Sequence, residues 1–401
     1  MPVLETPATR FGTLETPGEI LGLFRRFPAG LTKSEAASIA GLSRTALNQR
    51  IERLLRYGLI RSVGAGTSTG GRPADRFQLN RELGCLLIAD TGVTGMRVAL
   101  CDMVGEVLEE RYETLDINKG PEKVLGQIEV LFAEFLRKRG RHRVDVRGIG
   151  LNVPGPVDVA SGRTINPPIM AGWHDFDIRG AFGASYRSPV VVEKDGTAMA
   201  FGEHRRAYPS IPNLVFIKLG TGIGTGIVVD GKPYRGMDGG AGDVGHIAYS
   251  GHDEREPPLC RCGNVGCVEA YASGWALVRD LAALGLAVTS IDDVVRLVHL
   301  GNPDAIRLVR RASAVFGAAV SDIVSILNPG VVAIGGQLAA IGDLLFAGVR
   351  EVVYRRSLPL ATRNLQVLQT ALSERAGVLG LAELVADRVY WAEDVDLMVA
   401  E

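Results

Sequence analysis

Three of the five cysteines in this 401-residue chain fall within eight positions, in the segment CRCGNVGCVE at residues 260–269. The clustered thiols are those of Cys260, Cys262 and Cys267. Three sulfur ligands on one loop favour zinc, which takes four ligands in a tetrahedron. The fourth should be a nearby histidine, and spacing alone leaves His246 and His252 as candidates. A closed site of three cysteines and one histidine is expected to be structural, with one zinc ion per chain.

A second chemical pattern consists of glycine-rich turns that each follow an apolar strand. The turns lie in LLIADTGVTGMRVAL, in VFIKLGTGIGTGIVV and at the end of ILNPGVVAIGG. Backbone N–H groups at such turns can hold phosphate, and a carboxylate there can hold Mg²⁺ through water. The residues predicted to contact a nucleotide, if nucleotide binding is retained, are Asp90, Gly92, Thr94, Thr221, Gly222, Gly224, Gly335 and Gly336.

These turns must be positioned by a framework in which strands alternate with helices from residue 83 onward. Two phosphate hairpins followed by a Gly-Gly adenosine loop, in that order, indicate an α/β chain with the duplicated, two-lobed actin-like ATPase fold of sugar kinases. Residues 83–197, together with about 376–395, are predicted to form the first lobe. Residues 198–375 are predicted to form the second lobe, with the zinc loop and a dimer surface.

The N-terminal residues 1–80 differ from the rest in charge. They carry 11 Lys and Arg against 6 Asp and Glu, whereas the remaining 321 residues carry 33 against 39. A basic end on an acidic chain favours a module that binds nucleic acid. Thr32 and Glu35 form a capping box for a short helix that should stop at Gly41, and Ser43 can cap a second, amphipathic helix. Residues 1–80 are therefore predicted to form a winged helix-turn-helix domain.

Two short strands at 59–63 and 75–79 enclose a glycine-rich loop that completes the wing and carries Arg72. An arginine in this position can enter a narrow minor groove of double-stranded DNA. The first turns of the second helix carry side chains that can bond to base edges or phosphates in the major groove. The predicted contacts to operator DNA are Ser43, Arg44, Thr45, Asn48, Gln49 and Arg72.

Composition and the remaining cysteines indicate a cytoplasmic protein. Cys85 and Cys101 lie in apolar, strand-like runs and are expected to be buried thiols. An odd number of cysteines does not fit a disulfide framework. No apolar run reaches the roughly 20 residues of a membrane span, and the N-terminus lacks the basic and apolar regions of a signal peptide. No membrane partner is expected.

The chain resembles the ROK family, whose name joins repressor, open reading frame and kinase. The resemblance is carried by GIGLNVPGPVD at 148–158, GGAGDVGH at 239–246, the cysteine segment and RAGVLGLAEL at 375–384. It extends over nearly the whole chain. The N-terminal winged helix and the segment GGRPA resemble the transcription-factor branch of the family.

The resemblance implies a set of sugar contacts and selects His246 as the fourth zinc ligand. Asp195, in VVVEKDGTAMA, matches the general base that deprotonates the sugar hydroxyl in the kinases. Zinc would hold the loop that presents Glu269 and the second ring nitrogen of His246 to the sugar. The implied sugar-binding residues are Gly155, Lys194, Asp195, Asp243, His246 and Glu269.

Four positions depart from the kinase pattern. Lys194 and Thr197 stand where the kinases have asparagines, Asp243 replaces a glutamate, and Val93 replaces a glycine of the first phosphate turn. Lys194 would place an ammonium group beside the Asp195 carboxylate, and lost polar contacts would weaken the orientation on which phosphoryl transfer depends. Asp195 is therefore expected to be a vestigial or weak base, with ATP and Mg²⁺ as cofactors only if kinase activity is retained.

The predicted function is that of a sugar-responsive transcriptional regulator, expected to be a repressor of carbohydrate metabolism genes. A sugar or sugar phosphate would bind between the lobes, change their closure, and reposition the winged helices of a homodimer on an operator. The alternative is an ATP-dependent sugar kinase that carries a DNA-binding domain. A third interpretation is a ligand-binding protein that does not contact DNA.

Overall fold

The N-terminal part of the computed structural model, which describes residues 14–65, 75–249, 251 and 256–400, is a winged helix-turn-helix. Its helices are α1 (Pro17–Arg26), α2 (Lys33–Ala40) and α3 (Arg44–Arg56). Its strands are β1 (Leu31–Thr32), β2 (Ile60–Ala65) and β3 (Asp75–Leu79). They form an antiparallel sheet in the order β1-β3-β2, and β2 and β3 are the strands of the predicted wing.

Local hydrogen bonds at the helix ends confirm the predicted boundaries. Thr32 and Glu35 form a capping box at the start of α2, which ends at Gly41 in the left-handed conformation with φ of 68°. The Ser43 hydroxyl accepts a hydrogen bond from the backbone N–H of Ala46 at the start of α3. The wing loop at 66–74, with Arg72, lies outside the described residues, so that DNA contact stays a prediction.

The first lobe is built on a five-stranded sheet. In chain order the strands here are β4 (Cys85–Thr91), β5 (Gly95–Cys101), β6 (Val107–Thr114), β7 (Val146–Val153), the short pair β8 (Val157–Asp158) and β9 (Arg163–Thr164), and β10 (Val190–Lys194). The sheet order is β10-β7-β4-β5-β6, parallel through β4 and antiparallel beyond it. The helices are α4 (Pro121–Lys138), α5 (Ile178–Tyr186) and α6 (Asp195–Ala207). Cys85 and Cys101 are buried, as predicted.

The second lobe repeats this plan. Its strands are β11 (Leu214–Leu219), β12 (Ile223–Val229), β13 (Lys232–Pro233), β14 (Val331–Gly335) and β15 (Gln366–Gln369), in the order β13-β12-β11-β14-β15. Its helices are α7 (Val268–Ala272), α8 (Gly274–Ala283), α9 (Ile291–His299), α10 (Pro303–Leu327), α11 (Asp343–Arg356) and α12 (Pro359–Thr362). Each sheet has an antiparallel hairpin joined to parallel strands, which is the duplication predicted from the glycine turns. In the described part of the chain, no helix is long and apolar enough to cross a membrane.

Two helices join the lobes, α6 and α13 (Ala376–Val389). α6 packs on β11 and β12 of the second sheet, and α13 packs on β4 and β7 of the first. The helices touch at backbone distance, because a Cβ atom on Gly202 would lie 2.4 Å from the Ala376 carbonyl oxygen and one on Gly380 would lie 1.7 Å from that of Ala198. Only glycine fits at this crossing. The lobe boundaries near 197 and 375 stay predictions.

The winged unit packs directly on the first lobe. Helix α1 contacts the C-terminal helix α14 (Ala392–Ala400), and the Gly18 N–H donates to Asp396 at 2.7 Å. Arg25 of α1 forms ion pairs with Asp387 and, at 3.5 Å, with Glu383, both on α13. One apolar cluster runs from α1, α2 and α3 through α13 and α14 without interruption. The winged unit and the first lobe therefore share a core.

Candidate functional site

Four side chains with metal-binding atoms meet beside α7. They are His246, Cys260, Cys262 and Cys267, and their ligand atoms all lie within 4.8 Å of one another. The Sγ atoms of Cys262 and Cys267 are 3.7 Å apart, and Cys260 Sγ lies 3.8 Å from Nδ1 of His246. This cluster can hold a metal ion. It contains the histidine that the family pattern selected, whereas His252 lies outside the described residues.

The loop that carries the cysteines is shaped by its own backbone. The Cys260 N–H donates to the Asn264 carbonyl at 2.7 Å, and the Gly263 N–H donates to the Cys260 carbonyl at 3.0 Å. Gly263 and Gly266 have φ of 93° and 78°, values that glycine adopts without strain. Cys267 is additionally paired with Ala248 across an isolated β-bridge. The thiols are therefore brought together by local turns as well as by any bound ion.

Glu269 lies two residues after Cys267, in α7, and is 7% exposed. Its Oε2 atom accepts a hydrogen bond from the Ile223 N–H at 2.9 Å, and its Oε1 atom accepts one from Trp275 Nε1 at 3.4 Å. A Cβ atom on Gly222 would lie 2.5 Å from Oε2, so this glycine is required by the approach of the carboxylate. Glu269 thus links the metal loop to the second glycine hairpin.

Trp275 connects the same carboxylate to the cysteine loop, and the sequence patterns had not singled it out. The guanidinium of Arg261, which lies between Cys260 and Cys262 in the chain, sits 4.8 Å from the centroid of the indole ring. That of Arg279 sits 4.9 Å from it. These cation–π contacts hold the indole whose N–H meets Glu269. The signal available in the sequence was a tryptophan eight positions after Cys267, the last cysteine of the metal loop.

Asp195 is the first residue of α6 and is 6% exposed. Its Oδ1 atom accepts from the Gly196 N–H at 2.7 Å, and its Oδ2 atom accepts from Lys218 Nζ at 2.7 Å. A Cβ atom on Gly224, in the second hairpin, would lie 3.5 Å from Oδ1. The carboxylate therefore faces the second hairpin with a lysine already bound to it. Thr197, two residues on, is buried within α6.

The expected position of the Lys194 ammonium beside Asp195 is wrong. Lys194 Nζ instead forms an ion pair with Asp243 and donates to the Ala241 carbonyl at 3.3 Å. Lys194 ends β10 and Asp195 begins α6, and the two charged groups have different ion-pair partners. Asp243, whose side chain is 47% exposed, is the carboxylate within its reach. The cation at Asp195 comes from Lys218.

Glu193 is a further buried carboxylate that sequence reasoning missed. It is 1% exposed, its Oε1 atom accepts from the Lys194 N–H at 3.0 Å, and its Oε2 atom accepts from Arg235 Nε at 2.7 Å. Burial raises the pKa of Glu193 and the Arg235 guanidinium opposes that rise. The pair holds the loop after β13 against β10. The sequence signal for a buried carboxylate was the acidic residue that follows the apolar run VVV at 190–192.

Gly155 follows β7 and lies two residues beyond Val153, the parallel register partner of Lys194. A Cβ atom there would lie 2.9 Å from Met170 Sδ and 3.0 Å from Pro167 Cβ. This glycine therefore lets the segment after β7 close on the loop around residue 167. The predicted sugar contact of Gly155 stays a prediction.

The first glycine hairpin places Asp90 against buried polar groups. Asp90 is 8% exposed, and its Oδ1 atom accepts from Asn152 Nδ2 at 2.7 Å. Burial raises the pKa of Asp90, and the nearby Lys218 ammonium opposes the rise. Gly92 lies at the bend, followed by the partly buried Val93 and the exposed Thr94.

At the third glycine turn, Gly335 and Gly336 lie very close to residues of β11. A Cβ atom on Gly336, whose φ is 89°, would lie 2.4 Å from the Leu219 carbonyl oxygen. One on Gly335 would lie 2.7 Å from the Phe216 ring. The fold alone requires glycine at both positions. Thr221 lies near this turn at the end of β11, and its carbonyl accepts from the Trp275 N–H at 3.2 Å.

Lys218 is the most consequential residue that the sequence patterns did not identify. It is the only charged residue in β11, whose sequence is LVFIKL. Lysines are almost never buried without a partner, so a lysine in an apolar strand indicates an ion pair. That signal predicts a partner but does not name it, since Asp195 is 23 positions away in the chain.

The predicted DNA-contacting residues lie together on the start of α3. Ser43, Arg44, Thr45 and Gln49 are exposed, and Asn48 is partly exposed. On the opposite face, Leu47, Ile51 and Leu54 are fully buried against the rest of the winged unit. The helix therefore presents a polar surface to solvent while its apolar face fixes its orientation.

The fold and these contacts place the chain in a known protein family. Residues 87–388 match the family model of the ROK family, and the chain belongs to that family. The duplicated actin-like α/β fold is thereby confirmed.

Individual relatives include both regulators and kinases. The xylose repressor of Caldicellulosiruptor bescii is 28% identical over 379 residues, which cover 90% of this chain and 94% of the relative. A ROK family transcriptional regulator, homologous to the E. coli MLC protein, has a crystal structure that covers 96% of this chain and 97% of its own, with a TM-score of 0.79 and 24% identity. The ROK hexokinase of Thermus thermophilus covers 76% of this chain and 99% of its own, with a TM-score of 0.63 and 28% identity.

Proposed function

We propose that this protein is a sugar-responsive transcriptional repressor that binds operator DNA through α3 and the wing. The observation that carries the proposal is the exposed polar start of α3, on a winged unit whose core is continuous with the first lobe of a kinase-like fold. The xylose repressor and the ROK family transcriptional regulator support it, because their matches cover 90% and 96% of this chain and so extend beyond the lobes. The hexokinase covers only 76% of the chain.

The metal bound by the Cys3His cluster is proposed to be zinc with a structural role. For Zn–S bonds of about 2.3 Å, a tetrahedron places neighbouring sulfur atoms roughly 3.8 Å apart. The Cys262–Cys267 separation of 3.7 Å is close to this value, and all four ligand atoms lie within 4.8 Å of one another, so the observed cluster supports the proposed geometry. With four protein ligands, the ion would have no open position for catalysis. Its proposed task is to fix the loop that leads into α7.

The effector is proposed to be a neutral sugar held by the residues around that loop. If Nδ1 of His246 binds zinc, the other ring nitrogen must be protonated and can donate to a hydroxyl. Asp243, partly exposed, and Glu269 supply acceptors. The names of the repressor relatives make xylose the first sugar to test.

A homodimer is the proposed active form on DNA. One winged helix reads one half-site, and two half-sites one helical turn apart require two reading heads related by a two-fold axis. The operator is therefore expected to be palindromic. This follows from the symmetry of DNA recognition by helix-turn-helix proteins.

The test is a fluorescence anisotropy titration of the zinc-loaded protein on DNA from its own upstream region, with and without a panel of sugars. Gln49→Ala should weaken binding by about 1–3 kcal/mol if Gln49 reads a base. Gln127→Ala, the same change on an exposed part of α4, is the matched control. Equal affinities for both variants, or salt-independent binding, would refute the assignment of α3 as the reading helix.

The response to sugar is tested with Glu269→Gln, which keeps the size of the side chain and removes its charge. This variant should keep its sugar-free DNA affinity and lose the response to sugar, because a ligand shifts an equilibrium only through its differential affinity for two states. Its zinc content is measured in parallel to separate loss of sugar contact from loss of metal. Sugar-dependent ADP release at a kinase-like rate of roughly 1–100 per second would favour the kinase alternative instead.

A further inference from the structure

Glycine hairpins like these bind a magnesium nucleotide in the kinases of the family. In such a site, a divalent cation would lie between the phosphates and the carboxylates at the hairpins. The two candidate carboxylates are those of Asp90 in β4 and Asp195 in α6. Both are buried, Asp90 being 8% exposed and Asp195 6% exposed.

The position between these carboxylates is taken by Lys218. Its Nζ atom lies 2.7 Å from Oδ2 of Asp195, with 23% of the lysine side chain and 9% of the aspartate side chain exposed. The same Nζ atom would lie 3.9 Å from a Cβ atom built on Gly92, so the ammonium reaches the bend of the first hairpin. Lys218 thus extends from the second sheet to both the first hairpin and the start of α6.

Electrostatics agree with this placement. Burial by itself would lower the pKa of Lys218, but the carboxylates of Asp195 and Asp90 outweigh burial and raise the pKa above its ordinary value. Lys218 is therefore charged at physiological pH, paired directly with Asp195 and acting electrostatically on Asp90. The Oδ1 atom of Asp90 accepts a hydrogen bond from Asn152 Nδ2.

The third glycine turn gives no independent sign of a nucleotide. Gly335 and Gly336 are required by contacts with Phe216 and Leu219, so their presence needs no adenosine to explain it. Gly222 is likewise required by Glu269. The glycine pattern that suggests a nucleotide site is accounted for by the packing of the chain on itself.

We propose that the Lys218 ammonium is a built-in replacement for the divalent cation, so that the region between the lobes excludes magnesium nucleotides and responds to sugar alone. A dication and an ammonium cannot share the same carboxylate oxygen at contact distance without strong repulsion. The residues present do not fit Mg·ATP. This inference goes beyond the proposed repressor function, because it concerns the nucleotide and is tested without DNA or sugar.

The test measures binding of Mg²⁺, Mg·ATP and non-hydrolysable Mg·AMPPNP by calorimetry and by thermal unfolding of the zinc-loaded protein. The wild-type protein should show no saturable binding of any of the three at millimolar concentration. Lys218→Thr leaves Asp90 and Asp195 without their counter-ion and should acquire a saturable, Mg²⁺-dependent rise in melting temperature. Lys218→Arg, which keeps the charge, should not acquire it.

The matched control is Lys232→Thr, the same substitution on the exposed β13. Saturable binding of Mg·ATP to the wild-type protein would overturn the proposal, as would a Lys218→Thr protein no more responsive to Mg²⁺ than Lys232→Thr. If Lys218→Thr does not fold, Lys218→Gln, a longer neutral replacement, takes its place with the same expected result. If the proposed repressor function is wrong, the DNA titrations will show it. Those titrations are independent of the magnesium and nucleotide measurements.

Discussion

Replacing Arg25 with alanine should loosen the winged unit from the first lobe while leaving both lobes folded. The Arg25 side chain is 15% exposed and forms ion pairs with Asp387 and Glu383 on α13. Its guanidinium also lies 5.9 Å from the centroid of the Tyr390 ring. These contacts join α1 to an element that belongs to the lobes, so their loss acts at the junction.

The size of the effect follows from what remains after the change. Asp387 keeps Arg205 at 3.1 Å, and Glu383 keeps Arg206 at 2.8 Å, so neither carboxylate is left buried without a partner. The cost is then the lost charge-assisted contacts and the lost cation–π contact, together about 2–3 kcal/mol. That free energy should appear as easier local opening of α1.

Hydrogen exchange followed by mass spectrometry is the suitable assay, because it resolves opening segment by segment. Amides of α1 should exchange roughly 30- to 150-fold faster in Arg25→Ala, since each 1.4 kcal/mol is a factor of ten. Amides of α10, in the second lobe, should be unaffected. Arg53→Ala, an exposed position on α3, is the control and should leave α1 unchanged. Unaltered exchange in α1, or equal acceleration in every segment, would refute the reasoning.

Two further predictions concern the metal loop and α6. Cys262→Ser should reduce the zinc content below one ion per chain, measured by elemental analysis of chelator-free protein, and full zinc content with full stability would contradict the ligand assignment. His204 is 5% exposed, and burial, followed by the charge of Arg205, lowers its pKa below the ordinary 6.5. Its stabilising contribution is therefore complete above about pH 6.5 and is lost as the pH falls below that value, because the unfolded state then binds the extra proton. His204→Gln should flatten this slope in urea unfolding measured from pH 7.5 to 5, and an unchanged slope would contradict the prediction.

Features set by neighbouring residues could be predicted from the sequence. The capping box at Thr32 and Glu35, the stop at Gly41 and the cap at Ser43 depend on contacts three or four positions apart. The cysteine cluster is likewise carried by one loop with glycine turns. The order of the glycine hairpins along the chain then indicated the fold, because each hairpin begins a sheet in the duplicated architecture.

Features set by contacts between distant segments could not be predicted in the same way. Whether Lys194 or Lys218 reaches Asp195 depends on the strand face and on the approach of two sheets, which no local pattern records. Gly18 and Asp396, which meet through a hydrogen bond, are 378 positions apart. An apolar face on α1 predicts that something covers it, but the identity of the covering helix is a property of the whole fold.

Helix α6 has a mechanical consequence. It starts at Asp195 and, near its other end, carries Arg205 and Arg206, whose carboxylate partners on α13 also hold Arg25. A helix of 13 residues is about 20 Å long, so a tilt of about 5° at one end displaces the other by roughly 1.7 Å. At the glycine crossing the backbones of α6 and α13 touch directly, and Phe201 of α6 packs in one apolar cluster with Val378 and Leu381 of α13, so the two helices are closely coupled. A displacement at Asp195 would therefore be transmitted along α6 to the ion pairs on α13 that also hold the winged unit.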